Sequence, residues 1–147
     1  MTDSAAEPND VDPHESQLIA DPRFDQAVRL FNAGEWYDCH DGFEELWHET
    51  QGPLRPVLQG ILQIAVAQIH LGRGNLRGAM VLLGEGVGRL GPCGPTALGL
   101  DLERLRQPAL AQLQTLQLGG EPLPLAMDQL AFVQLRPPCQ KAPPGPL

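Results

Sequence analysis

Six polar side chains that could do chemistry occur in two largely apolar segments of the chain. Two of them lie in the first segment and four in the second: His40 and Glu44, then Arg55, Gln59, Gln63 and His70. An amide, imidazole or carboxylate that is buried without a hydrogen-bond partner carries a large free-energy penalty. These residues therefore predict a buried polar site, or at least a buried polar network.

The spacing of these residues follows the turn of an α-helix. His40 and Glu44 are four positions apart, so their side chains project from the same edge of a helix. On the second segment, a row with helical spacing begins at Arg55, includes the two glutamines and ends at His70. We expect the two rows to face each other inside the protein.

An imidazole and a carboxylate one turn apart can approach the same metal ion. Zinc and iron sites usually need three or four such ligands, some of them from a facing helix. His40 and Glu44 with His70 therefore indicate a candidate site for a divalent metal ion. In that interpretation Glu44 is a ligand or a general base.

The other three polar residues have roles in this hypothesis as well. Gln59 and Gln63 would orient a substrate or the metal ligands, and Arg55 would attract an anionic group. The same residues fit a pocket for a small ligand without a metal. Whether the chain is an enzyme stays open.

A purely structural interpretation also fits these residues. His40 and Glu44 would form an ordinary pair along one helix, and His70 would bond to a carbonyl at a helix end. The polar row would then only fix the register between helices. The sequence alone does not decide between these alternatives.

Two familiar catalytic or binding motifs are excluded by their context. His48-Glu49 is not followed by the second histidine of a zinc-protease motif. The glycines after Leu71 do not follow a strand, which excludes a dinucleotide-binding loop.

The sequence predicts that helices carry all of these residues. Asp21-Pro22 predicts a helix start, and Gly34, Gln51-Gly52-Pro53 and Gly119-Gly120 predict breaks. Pro108 predicts a kink or a restart in the last helix. The sequence therefore predicts an all-α fold, a compact bundle of about five helices. Their predicted ranges are 22–33, 35–49, 53 or 54 to 71, 76–90 and 98 or 101 to 118.

The helix predicted at 76–90 contains four glycines, at positions 78, 84, 86 and 88. Each costs a helix up to about 1 kcal/mol relative to alanine, so close packing must compensate. That packing partner could be a second copy of the chain. The alternative function is therefore a helical interaction or homo-oligomerisation module, in which the polar row is structural.

Composition limits the organisation and the partners of the chain. Residues 1–20 are acidic and 136–147 are rich in proline, so we expect flexible tails around one helical domain at 21–135. The net charge of −8 and the lack of a basic stripe argue against nucleic acid as a partner.

The apolar segment 57–71 is too short and too polar for a membrane span. Three cysteines without paired spacing fit reduced thiols and predict a cytoplasmic location.

Two sequence blocks resemble a known family. FNAGEWYDCHDGFEELW (31–47) and QGILQIAVAQIHLGRGNLRGA (59–79) resemble domain-of-unknown-function family 309, small helical proteins of bacteria, cyanobacteria and plastids. The resemblance covers residues 22–92 and includes His40, Glu44, Gln59, Gln63 and His70. It implies a compact helical fold and no assigned activity.

Overall fold

A computed structural model describes residues 12–133 of the chain. Within this range the protein is helical, with six α-helices and one short β-hairpin, which confirms the all-α prediction. The predicted disorder of residues 1–11 and 136–147 lies outside the described range. The helices are α1 Pro13–Ala20, α2 Pro22–Asn32, α3 Trp36–Glu49, α4 Arg55–Gly72, α5 Leu76–Leu90 and α6 Leu102–Gln117.

The first helix, α1, lies inside the segment for which the sequence predicts a flexible acidic arm. It begins like α2, with an aspartate cap followed by proline: the Asp12 carboxylate accepts a hydrogen bond from the His14 N–H. Two contacts hold it. Leu18 is buried in the core, and Glu15 accepts a hydrogen bond of 2.6 Å from the Leu98 N–H. Residues 13–20 are therefore an ordered part of the bundle.

Three helices end at a glycine with positive φ, as the predicted breaks require. These glycines are Gly34, Gly74 and Gly119, with φ of 76°, 76° and 80°. In each case the next residue donates its N–H to a carbonyl five positions back, which closes the helix end. The turns that separate α2 from α3 and α4 from α5 are therefore fixed by the sequence itself.

Helix α4 is the central element and packs against both α3 and α5. Its contact with α5 is unusually close. A side chain at Gly86 would place its Cβ 2.9 Å from the Gly60 carbonyl oxygen, and one at Gly60 would meet Leu90 at 2.7 Å. The glycines at 60 and 86 thus allow the two backbones to touch.

Among residues 12–133, no helix is both long and apolar enough to cross a membrane.

Helix α6 runs through Pro108 without a break, so the predicted restart at this residue is wrong. Proline has no N–H to donate to the carbonyl four residues earlier, which belongs to Arg104. The side-chain amide of Gln129 donates to that carbonyl instead, at 2.9 Å. The helix continues because a distant side chain satisfies the group that proline leaves free.

The short hairpin pairs strands β1 (Thr96–Ala97) and β2 (Leu100–Asp101), which the sequence did not predict. Its two turn residues, Leu98 and Gly99, both have positive φ. This conformation suits a two-residue hairpin turn. The Leu98 side chain is fully buried, and this packing stabilises a conformation that leucine rarely adopts.

Residues 120–133 cross the bundle without forming a helix. Phe132 forms a β-bridge with Leu100, and Leu130 is buried. The Asn32 side chain holds Leu130 at both backbone groups: its amide nitrogen donates to the carbonyl and its oxygen accepts from the N–H, both at 2.8 Å. This segment is therefore attached to the end of α2.

Candidate functional site

The six residues of the predicted polar site all lie at the edge of the protein. None of them is buried: His40, Glu44, Arg55, Gln59, Gln63 and His70 are each partly exposed. The prediction of a buried site is therefore wrong in this respect. The reason is that the row on α4 lies beside its packing surfaces, where solvent still reaches the side chains.

His40 and Glu44 are close to each other, as their spacing predicts. The Nε2 atom of His40 lies 3.8 Å from Oε1 of Glu44, and its Nδ1 lies 3.1 Å from Oδ1 of Asp41. The first distance is too long for a hydrogen bond. The Glu44 side chain is 45% exposed, so its carboxylate has room for other partners.

Gln63 turns towards α5 rather than towards α3. Its amide nitrogen donates to Glu85 at 2.9 Å, and its oxygen accepts from Nε of Arg89 at 3.0 Å. The side-chain amide is therefore already engaged in a network that links α4 to α5.

His70 lies beside the turn between α4 and α5. Asn75 caps α5 by accepting from the Gly78 N–H at 3.0 Å, and this orients its amide nitrogen towards Nδ1 of His70, 3.0 Å away. Because that nitrogen can only donate, Nδ1 of His70 must accept. The imidazole therefore carries its proton on Nε2 and supports a helix cap.

The predicted metal ligands do not come together as a set. Within the described range, no group of three or more His, Cys, Asp or Glu side chains could hold a metal ion. His40 and Glu44 pair on α3, whereas His70 is bonded to Asn75 at the α4–α5 turn. The row on α4 does not form one site, because its first end contacts α3 and its last end contacts the turn to α5.

Arg55 is the residue of the row that does meet α3. Its guanidinium carbon lies 4.1 Å from the centre of the Trp47 ring, a cation–π contact. Nε of Arg55 and Nε1 of Trp47 are both shielded from solvent, and neither has a hydrogen-bond acceptor among residues 12–133. Two adjacent N–H donors are thus left without partners.

Trp47 belongs to the same edge of α3 as the predicted site. It lies one turn after Glu44 and two turns after His40, and on α4 Gln59 lies one turn after Arg55. The predicted site did not include Trp47, although its spacing from His40 and Glu44 is a signal for this edge; its ring also packs against the hydrophobic core. We call Glu44, Trp47, Arg55 and Gln59 the α3–α4 polar edge.

The buried polar residues in the described part of the chain are two glutamines that the predicted site did not include. Gln68 of α4 and Gln112 of α6 exchange amide hydrogen bonds of 2.9 and 3.1 Å. Gln68 also donates to the Ile64 carbonyl, and Gln112 donates to the Leu123 carbonyl. The pair is satisfied internally and links three parts of the fold.

The two cysteines in the described range are free thiols. Cys39 is fully buried, and burial raises the pKa of its thiol to about 12. Burial also raises the pKa of Cys93, whose thiol donates to the Arg89 carbonyl. Neither is activated as a nucleophile, because the reactive form is the thiolate.

Part of the chain matches a known protein family. No curated protein matches this chain. The matched residues span most of α2, all of α3 and α4 and about half of α5, and so include both His40–Glu44 and the Trp47–Arg55 contact. Residues 24–82 match the family model described as a domain of unknown function (DUF309), which confirms the resemblance over this part of the chain.

Proposed function

We propose that this protein binds a small organic anion at the α3–α4 polar edge, with an oxygen atom of the ligand at Trp47 and Arg55. The observation that carries the proposal is the pair of shielded N–H donors that lack acceptors. A buried donor without a partner costs about 1–3 kcal/mol, so an acceptor at this position is strongly favoured. A carboxylate oxygen also matches the positive charge of the guanidinium.

The neighbouring side chains favour a monocarboxylate that carries a hydroxyl group. The Glu44 carboxylate is a hydrogen-bond acceptor with room for a partner and can receive a ligand hydroxyl. Its negative charge and the net charge of −8 disfavour a ligand with two negative charges. The Gln59 amide, one turn after Arg55, supplies a further donor and acceptor.

Binding requires Arg55 to move, because Nε1 of Trp47 and Nε of Arg55 are shielded from solvent and the guanidinium lies over the Trp47 ring. Arginine has a long flexible side chain at the first turn of α4, so this movement leaves the backbone in place. In this proposal the ligand inserts its oxygen beside the indole while the guanidinium turns to face it.

The two tryptophans of the chain provide a direct test. The indole N–H signals of Trp36 and Trp47 are followed in a proton–nitrogen correlation spectrum during titration with lactate, acetate or inorganic phosphate at constant ionic strength. We expect a saturating shift of the Trp47 signal with lactate, a weaker one with acetate and none with phosphate. The Trp36 signal is the internal reference and should not move.

Two variants complete the experiment. Arg55→Gln removes the charge and should abolish the saturating shift, whereas Arg73→Gln at the other end of α4 should leave it unchanged. The proposal is wrong if none of the three anions produces a saturating shift, or if Arg55→Gln responds as the unmodified protein does.

Homo-oligomerisation through α5 stays a second proposal. It is supported by the outer face of this helix, where Val81 is 52% exposed and a Cβ at Gly84 or Gly88 would meet no atom within 4 Å. Size measurement of the protein and of Gly84→Leu tests it, since a bulky side chain there should dissociate a dimer. A monomer at all concentrations excludes it.

A further inference from the structure

A pocket lies at the opposite end of α4 from the Trp47–Arg55 contact. It has a volume of about 470 Å³ and is lined by the end of α2, the start of α3 and the end of α4. Residues 121–127 form its cover. Pockets for small molecules usually measure roughly 300–1,000 Å³, so this one is of a suitable size.

The cover is fastened on both sides of the pocket. Gln112 donates to the Leu123 carbonyl at 2.9 Å, and Asn32 binds both backbone groups of Leu130. Between these attachments, Leu125 and Met127 line the pocket, and Met127 is 71% exposed. The chain is thus held at residues 123 and 130 and carries apolar side chains between these two points.

The interior offers apolar surface to a ligand. Phe31 and Trp36 meet edge to face with ring centres 5.0 Å apart, and Leu71 and Leu76 complete the walls. The polar side chain of Gln68 also lines the pocket, but its amide is already bonded to Gln112 and to the Ile64 carbonyl. A polar ligand would therefore find few free partners here.

Carboxylates lie in the pocket and in a neighbouring depression. Glu121 lines the pocket itself, and Glu35 and Asp38 line a shallower depression that shares Trp36 and Gly72 with it. Arg73 is the cation in that depression. This excess of negative charge disfavours an anionic ligand.

We propose that this pocket binds an uncharged, largely apolar small molecule against Trp36, beneath residues 121–127. The proposal is independent of anion binding at the α3–α4 polar edge. The two sites use different tryptophans, and the expected ligands have opposite polarity. Failure of one proposal therefore leaves the other unaffected.

Two fluorescent probes of nearly the same shape test the proposal. N-phenylnaphthylamine is uncharged, and anilinonaphthalene sulfonate adds a sulfonate to the same ring system. We expect the uncharged probe to bind with saturation at one molecule per chain, and the sulfonate to bind at least about tenfold more weakly because of the carboxylates in the pocket and the neighbouring depression. In the correlation spectrum the uncharged probe should shift the Trp36 indole signal and leave that of Trp47 in place.

A matched pair of variants on α5 locates the binding site. Leu76→Trp fills the pocket and should weaken binding of the uncharged probe by at least about tenfold, which corresponds to 1.4 kcal/mol. Val81→Trp on the same helix adds the same side chain outside the pocket and should not alter binding. Equal binding by both variants, stronger binding of the sulfonate, or an unmoved Trp36 signal overturns the proposal.

Discussion

The side chains of Gln68 and Gln112 are bonded to each other in both directions, each amide nitrogen donating to the other's oxygen at 2.9 and 3.1 Å. Both residues are buried, one in α4 and one in α6. Gln112 also donates a hydrogen bond to the carbonyl of Leu123. The pair therefore connects the bundle to residues 121–127, which cover the pocket that Trp36 lines.

Replacement of one glutamine should lower the free energy of unfolding by more than the loss of its own hydrogen bonds, because the partner amide is left unpaired. In Gln68→Leu, the Gln112 oxygen loses its donor inside the core, and we expect the free energy of unfolding to fall by about 1–3 kcal/mol. In Gln68→Leu with Gln112→Leu, no side-chain amide of the pair is left without its partner, although the Leu123 carbonyl loses its donor. The double variant should therefore lose less stability than the sum of the single variants, as measured by urea unfolding.

Gln114→Leu is the control for this cycle, since Gln114 lies on α6 and is exposed. Its effect should stay within about 0.5 kcal/mol. Additivity of the two single variants would contradict the coupling that the reciprocal bonds predict.

Replacement of the α5 glycines by alanine should change the free energy of unfolding in opposite directions, depending on what surrounds each glycine. Gly86→Ala forces a Cβ to within 2.9 Å of the Gly60 carbonyl, where backbone must shift, and we expect a loss of about 1–3 kcal/mol. Gly84→Ala meets no atom within 4 Å and should add up to about 1 kcal/mol through better helix propensity. Urea unfolding of both variants measures the difference, and equal effects would contradict the close α4–α5 contact.

The helices and their ends followed from local chemistry, which explains why they were predictable. Asp21-Pro22 and Gly34 act within one turn of their own positions, so no knowledge of the rest of the fold is needed. The same signature, Asp12-Pro13, could have identified α1. The acidic composition of residues 1–20 predicts a flexible arm instead, because α1 buries only Leu18 and its Glu15 contacts Leu98, 83 residues away.

The polar row was less predictable because its direction depends on the neighbours of α4. Helical spacing places Arg55, Gln63 and His70 on one side, but it does not say that α3 covers one end of that side and α5 the other. Gln68, which points the opposite way, is buried and is bonded to Gln112 of α6. Position on a helix was predictable, but the identity of the facing helix was not.

Cys39 should resist thiol reagents in the folded protein. Its thiol is fully buried with a pKa of about 12, so almost no thiolate is present at mildly alkaline pH. In a Cys93→Ser, Cys139→Ser variant, a chromogenic disulfide reagent should label no thiol in the native state and one in urea. Cys39→Ser, which keeps the other two thiols, is the control, and rapid native labelling of Cys39 would contradict its burial.

Arg23 should make the stability of the protein sensitive to acid. Its guanidinium donates to both oxygens of Glu49 and to Asp21, and so joins the start of α2 to the end of α3. These hydrogen bonds lower the pKa of Asp21 and of Glu49 below their ordinary values of 3.8 and 4.5.

A carboxyl group whose pKa is lowered by folding stabilises the folded state when the pH is above the ordinary pKa of that group. This contribution disappears as the pH falls through the lowered pKa of the folded state. Arg23→Gln should therefore be less stable than the unmodified protein at neutral pH. The difference should shrink below about pH 4, where unfolded carboxylates are protonated. Arg29→Gln breaks only the exposed pair with Asp25 and should show little difference at any pH. Thermal unfolding across this pH range tests the prediction, and a difference that grew in acid would show that the Arg23 cluster does not act through these carboxylates.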